Sequence, residues 1–321
     1  MDRSVQEDWK RRFHGKTIIE AKYIPKFPSS SEREYLRLSS AFMRTILSEC
    51  LKKHLPEIKA VMIEVDSKQR FDSSKKQENQ KQRTKGRIEE LDTVIVRFKT
   101  IFKDMEKYII SSMGVFNLVQ KLTRIGESTE RFSKKEWGKA INKTLGVSIL
   151  DDYYQGEFYR TALKEWIQTN VELIESIPKN FLDEFADVVY QNYISGRTMS
   201  DLAAQIQKDY GTYTKHAKLI SRDQIGKLNA QITKYQQKNA GCNKYKWRSV
   251  GDERVRDRHR ELDKQIFSWD DPPVVDKRIG RRCHPGEDYQ CRCIARPIFN
   301  RNTTSLPIAD DVKVSISKGK Y

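Results

Sequence analysis

The sequence has no uninterrupted apolar run near the about 18 residues that a membrane-spanning helix needs, so no membrane anchor is expected. The opening residues, MDRSVQEDWKRRFHGK, lack the apolar core of a secretion signal, and the chain is expected to stay on the cytosolic side. Five cysteines are scattered over 321 residues, an odd number in a long chain, which argues against a disulfide framework. Free thiols or a metal site are the expected uses. No glycine-rich phosphate loop, serine nucleophile elbow or HExxH pair occurs, which removes the reaction classes those motifs carry. No repeat of solenoid period is present either.

Charge is abundant. Lys and Arg number 61 against 44 Asp and Glu, a formal net charge of +17. That balance favours an anionic partner, and double-stranded DNA held through its phosphates is the first candidate. The plainer reading is a set of lysine-covered helices. With 37% apolar residues the chain can still bury a core, in two or three domains.

Residues 1–66 read as an arm followed by a helix. The arm ends at Pro25 and Pro28, and Ser31 with Glu34 forms a capping box. Tyr35, Leu38, Phe42, Ile46 and Cys50 then form one apolar stripe, and Pro56 is expected to end or kink the helix. His14 and His54 have no ligand-type neighbour and are expected at the surface. Residues 67–90, rich in Gln, Lys and Ser, read as a solvated basic loop or disordered insertion.

Residues 91–180 read as a helical body. Val94, Phe98, Phe102, Met105 and Ile109 share a face; Ser133 with Glu136 is a second capping box; Gly146 closes that helix. A further stripe, Phe158 to Ile174, is expected to stop near Pro178, and its successor at Gly196. A short helix from Met199 should end at Gly211, and Tyr213 to Asn239 can form one long helix. After Gly241 the segment KYKWRSV alternates like a strand, as does YQCRCIARPIF from Tyr289 to Phe299, and the two are expected to pair antiparallel. The fold class is therefore α+β: a mainly helical N-terminal body and a small C-terminal α+β module with a short antiparallel sheet. Residues 181–299 hold that module, and residues 300–321 form an extended tail.

The special chemistry concentrates between Trp247 and Pro297. Cys291 and Cys293, at i and i+2 on a strand, would point to one face. With His284 and His259 they make the four Cys/His ligands that a tetrahedral structural zinc requires, and Cys283 is the substitute fourth ligand. Two plainer readings stand beside this one. The two cysteines can be small buried residues, and His259 can hydrogen-bond to an acidic neighbour. Asp252, Arg254 and Arg256 suggest a charge network of Arg–carboxylate pairs. His259 with Asp252 or Glu261 could instead be a general acid/base pair. A closed four-ligand zinc leaves no open position, so no catalytic residue is assigned.

The same residues carry a resemblance. W-R-S-x-G-D-E-R-V-R-x-x-H-R-x-L-D, then F-S-W-D-D-P-P, then H-P-G-E-D-Y-Q-C-R-C, resembles the C-terminal domain of phage head morphogenesis proteins. This is the phage Mu protein F family, which includes the minor head protein of phage SPP1. Ile220 to Asn229 looks like the helix preceding that domain. Lys264 stands where many members carry glycine. The resemblance implies a minor capsid protein of a tailed phage, inside the virion and in the host cytoplasm during assembly. The partners it implies are the portal protein, capsid or scaffolding proteins, and packaged DNA. The alternative reading is a metal-dependent hydrolase or nuclease centred on His259 and Asp252.

Overall fold

The structure, a computed structural model, describes residues 3–67, 76–149 and 157–306. The apolar positions of the expected tail, from Val312 onward, lie outside the described residues, as does the start of the expected insertion, 68–75. The chain is mainly helical with a small antiparallel sheet in its C-terminal part, as its patterning predicts. No described helix is long and apolar enough to cross a membrane.

Two compact units divide the chain. One comprises Met1–Tyr35, Thr123–Ile167 and Leu219–Tyr321; the other comprises Leu36–Leu122 and Gln168–Lys218. Helices α2 (Ser29–Ser67), α5 (Leu118–Leu145), α6 (Glu157–Ile194) and α7 (Met199–Asn239) each contribute residues to both. Pro56 and Pro178 lie inside α2 and α6 rather than at their ends, and Gly211 lies inside α7. Each helix has apolar stripes on both sides of the interruption, and the burial of those stripes outweighs the local cost of the helix breaker. Gly146 (φ +72°) and Gly196 (φ +64°) do end helices, in the left-handed conformation that glycine adopts without strain.

In the unit of Leu36–Leu122 and Gln168–Lys218, the expected stripes are core. Phe42, Ile46, Cys50, Val94, Phe98, Met105 and Ile109 are buried. Phe98 meets Tyr190 and Tyr193 edge to face. His54, expected at the surface, is buried with Nδ1 against Glu57. Part of the expected loop is a helix, α3 (Lys76–Glu89). Its Arg87 is 1% exposed, makes two hydrogen bonds to Asp66 at 2.9 and 2.7 Å, and donates to the carbonyls of Tyr193 and Arg197. Composition misleads here because, among the described residues of this helix, only Gly86 and Arg87 are buried, so one charged side chain does the anchoring.

In the other unit the N-terminal arm is structured. After α1 (Arg3–Arg12), β1 (Ile18–Glu20) pairs with β6 (Ile294–Asn300), which pairs with β2 (Lys244–Arg248), which pairs with β3 (Ile266–Ser268), all antiparallel, while β4 (Val274–Asp276) and β5 (Arg281–Arg282) pair with each other. The expected pairing of the KYKWRSV strand with the last strand is thus present, with Trp247 opposite Ala295. The arm is an edge strand, fixed by Glu20, which accepts from Lys246 at 2.6 Å and from Arg296.

Glu136 lies inside α5, so it does not cap a helix start. It fastens the arm instead, accepting from Tyr23 Oη at 2.6 Å, Lys26 N at 2.9 Å and Lys139 Nζ at 2.7 Å. Burial alone would raise its pKa, but these three donors more than offset it and hold the carboxyl below its usual value. We expect Glu136→Gln to cost about 2 kcal/mol at pH 7, since hydrogen bonds to a charged group are lost. A depressed folded-state pKa contributes stability above the unfolded carboxyl value of about 4.3 and loses it as pH falls through the folded value. Urea unfolding curves of the variant and the parent should therefore converge below that value.

Candidate metal centre

β2 presents Tyr245 and Trp247 to the interior, because alternate residues of a strand face one side. Both are fully buried and form a core with Leu262, Trp269, Val275, Cys291, Cys293 and Ala295. The short helix α8 (Asp257–Leu262) packs Leu262 into this core and brings His259 with it, edge-on to Trp247 at 5.3 Å.

Cys291 and Cys293 are not on the strand. They lie in the loop that leads into β6, after Gln290, whose φ is +52°. Two contacts hold that loop in place. Gln290 N donates to Asp223 of α7, and Gly286, at φ +90°, packs its backbone on Gly226 and Ala230 of the same helix. A Cβ on Gly286 would stand 3.0 Å from Ala230 Cβ. The Cys293 N–H points to Cys291 Sγ at 3.4 Å, so the loop folds back and brings both sulfurs to one side, as a strand would have done.

Cys291, Cys293 and His259 therefore meet. His259 Nδ1 is 3.6 Å from each sulfur, and the three ligand atoms lie within 4.8 Å of one another. Metal bonds of about 2.0–2.3 Å at tetrahedral angles put donor atoms about 3.5 Å apart, so the spacing suits a zinc-sized ion. The structure does not bring His284 to this group. Its Nδ1 is 2.9 Å from Tyr245 Oη, and its ring packs on Trp269 at 4.8 Å. Cys283 also stands outside the group, and burial, with Asp288 and Glu287 nearby, pushes its thiol up to about 12. Three protein ligands are assembled, and the reasoning from a closed four-ligand site no longer applies.

Asp288 is the residue that sequence reasoning missed, although it lies within the H-P-G-E-D-Y-Q-C-R-C motif. It is 4% exposed. Its Oδ2 meets His259 Nε2 at 3.1 Å and Arg256 at 3.2 Å, and its Oδ1 meets Arg281 at 2.8 Å. Burial works against charge on Asp288, but His259, the Tyr289 backbone N–H and the two guanidiniums together hold its pKa low. The carboxylate thus fixes the His259 ring with Nδ1 toward the sulfurs, as a carboxylate behind a metal-binding histidine does. Burial lowers the His259 pKa, but Asp288 and Cys291 outweigh it and raise it to about 9. Cys291 is held well below the usual thiol range, first by its hydrogen bond with Cys293 and, against burial, by His259. The same contact with Cys291, together with burial, raises Cys293. These groups can hold a soft metal ion. Without one, they form a thiolate–imidazolium–carboxylate chain.

The expected charge network is present with different pairings. Asp252 pairs with Arg292 at 2.5 Å, and Arg256 pairs with Asp288 and also donates to Tyr289 O. Arg254 is exposed. The carboxylate at His259 is Asp288, not Asp252 or Glu261, so the expected acid/base pair is not assembled. Lys264, in place of the expected glycine, adopts φ +67° and still forms the tight turn, donating its N–H to Trp247 O at 2.8 Å.

Residues 183–296 match the family described as phage Mu protein F like protein. A Haemophilus influenzae protein, described as uncharacterized, is 42% identical over 134 residues. Those residues are 41% of this chain and 28% of that protein, so the chain spans less than a third of its relative. No solved structure matches.

Proposed function

We propose that this chain, a member of the phage Mu protein F like family through residues 183–296, is a minor capsid protein of a tailed phage. In this reading it works in head morphogenesis at the portal vertex, contacts capsid or scaffolding proteins, and travels inside the head with the DNA. The observation that carries the reading is the family match itself, which spans α7, β2, α8 and the loop of Cys291 and Cys293. Contact with DNA is supported by the +17 net charge. It is also supported by an open groove of about 440 Å³ along α5, lined by Arg131, Lys134, Lys135, Lys139 and Lys143. Cations spaced along one helix suit phosphates, without base reading.

The module would be held by a zinc ion on His259, Cys291 and Cys293. Two thiolates and one imidazole favour zinc over harder ions. The ion would tie the helix of His259 to the loop before β6, a staple for a sheet too small to hold both by burial alone. A nuclease centred on His259 and Asp252 is the weaker reading, because Asp252 is engaged by Arg292.

The test is co-expression with the portal protein of the same phage, followed by pull-down and by mass spectrometry of purified particles. The chain should co-purify with portal and appear in particles at low copy number. Its absence from both would overturn the proposal.

A further inference from the structure

A cavity of about 150 Å³ opens over the three metal-ligating groups. Its lining includes His259, Cys291 and Cys293 themselves, together with the guanidinium residues Arg222, Arg254, Arg256 and Arg292. Among the described residues, no carboxylate lines it. Three of the arginines are held by acids that are not in that lining: Arg222 by Glu32 at 3.1 Å, Arg256 by Asp288 at 3.2 Å and Arg292 by Asp252 at 2.5 Å. Such pairs hold the cations in place without filling the cavity. Arg254 is exposed at its mouth.

Two facts about the centre then combine. The described residues supply three ligands where zinc takes four, and a three-ligand zinc keeps a position for an exogenous ligand. A zinc ion with two thiolates and a neutral imidazole carries no net charge, so attraction for an anion must come from the surrounding arginines. A guanidinium offers paired N–H donors that match the oxygens of a phosphoryl group. The volume admits one such group and excludes a duplex.

We propose that the fourth position of this metal, open to the arginine-lined cavity, binds a phosphate dianion, either free phosphate or the terminal phosphate of a nucleic acid strand. The inference rests on the zinc reading above. Arg254 and Arg292 would hold the outer oxygens, and one oxygen would face the metal. The phosphate is only coordinated: no covalent bond within it is made or broken, and the site is a ligand site.

Cobalt-substituted full-length protein tests it, because thiolate-bound cobalt absorbs visible light in a way that reports its fourth ligand. Inorganic phosphate should change the spectrum saturably, and Arg254→Ala should weaken that response about tenfold while cobalt still binds. A 5′-phosphorylated oligonucleotide compared with its unphosphorylated twin separates the two sources. A change with the phosphorylated strand only, or with both phosphate and that strand, identifies which the site admits, and either supports the inference. Cobalt bound with a spectrum indifferent to both overturns the inference and leaves the metal reading standing. A spectrum altered by Cys283→Ala or His284→Ala points to a closed fourth ligand and overturns it too. Failure of the protein to bind cobalt or zinc removes the metal reading, and the inference with it.

Discussion

Asp288→Ala should destabilise the unit that contains it by about 3–5 kcal/mol, the cost of breaking a buried ion pair from one side. Asp288 is 4% exposed and is the shared partner of His259, Arg256 and Arg281. Its removal leaves a 2% exposed His259 next to a thiolate with no carboxylate behind it, and leaves Arg281, about one third exposed, without its near carboxylate. Among the described residues, Arg256 keeps the Tyr289 carbonyl. Asp288→Asn should cost less, because an amide oxygen can still accept from Arg281. All five tryptophans lie in this unit, so tryptophan fluorescence during urea unfolding reports on it directly. A loss below about 1 kcal/mol for Asp288→Ala would mean that the cluster is solvated and carries no weight.

How much of this was legible beforehand depends on whether the information is local. Apolar stripes are local, and the faces of α2 and of α4 (Leu91–Met113) were read correctly from Tyr35 to Cys50 and from Val94 to Ile109. The antiparallel pairing of β2 with β6 was legible from period-two alternation. Helix breakers were read too strongly. Pro56, Pro178 and Gly211 lie inside helices because the flanking apolar faces are buried, a fact of tertiary packing that no local signal carries. The capping box at Ser133 and Glu136 was a true pattern in the wrong role. Glu136 looks the same in sequence whether it binds its own helix start or, as here, Tyr23 and Lys26 more than 100 residues away.

The metal candidates follow the same division. Cys291 and Cys293 are legible by spacing, and His259 as a ligand-type residue of the same stretch, and these three do meet. The grounds were partly different, since a turned loop rather than a strand aligns the sulfurs. His284 was chosen because it lies near the cysteines in sequence. It is held away by Tyr245, a strand residue whose hydroxyl needs a partner once buried. Asp288 carried no signal of its own, because one acid among many in a charged chain is unremarkable until three cations are seen to converge on it.

Chelation should produce the other large effect. Zinc purified with the protein is expected at about one ion per chain. A ligand present at about 1,000 times its dissociation constant stabilises the folded state by about 4 kcal/mol. For a unit of this size each kcal/mol moves Tm by about 2–4 °C, so a strong chelator should lower Tm by about 10 °C, and added zinc should restore it. In Cys291→Ser/Cys293→Ser the chelator should have no further effect, because the thiolate donors are gone. The rival account treats both thiols as ordinary core residues, which their place beside Trp247 and Ala295 permits. It predicts no metal in the purified protein, no response to chelator, and a double variant within about 1–2 kcal/mol of the parent. The two accounts also part on pH. Without metal, the His259–Asp288 pair contributes stability below the unfolded histidine value of about 6.5, and that contribution fades as pH rises through about 9. With metal, the histidine must be neutral and the thiols deprotonated, so stability falls on the acid side as protons displace the ion. Thermal melts across pH 5 to 9, with and without chelator, therefore show opposite slopes for the two accounts.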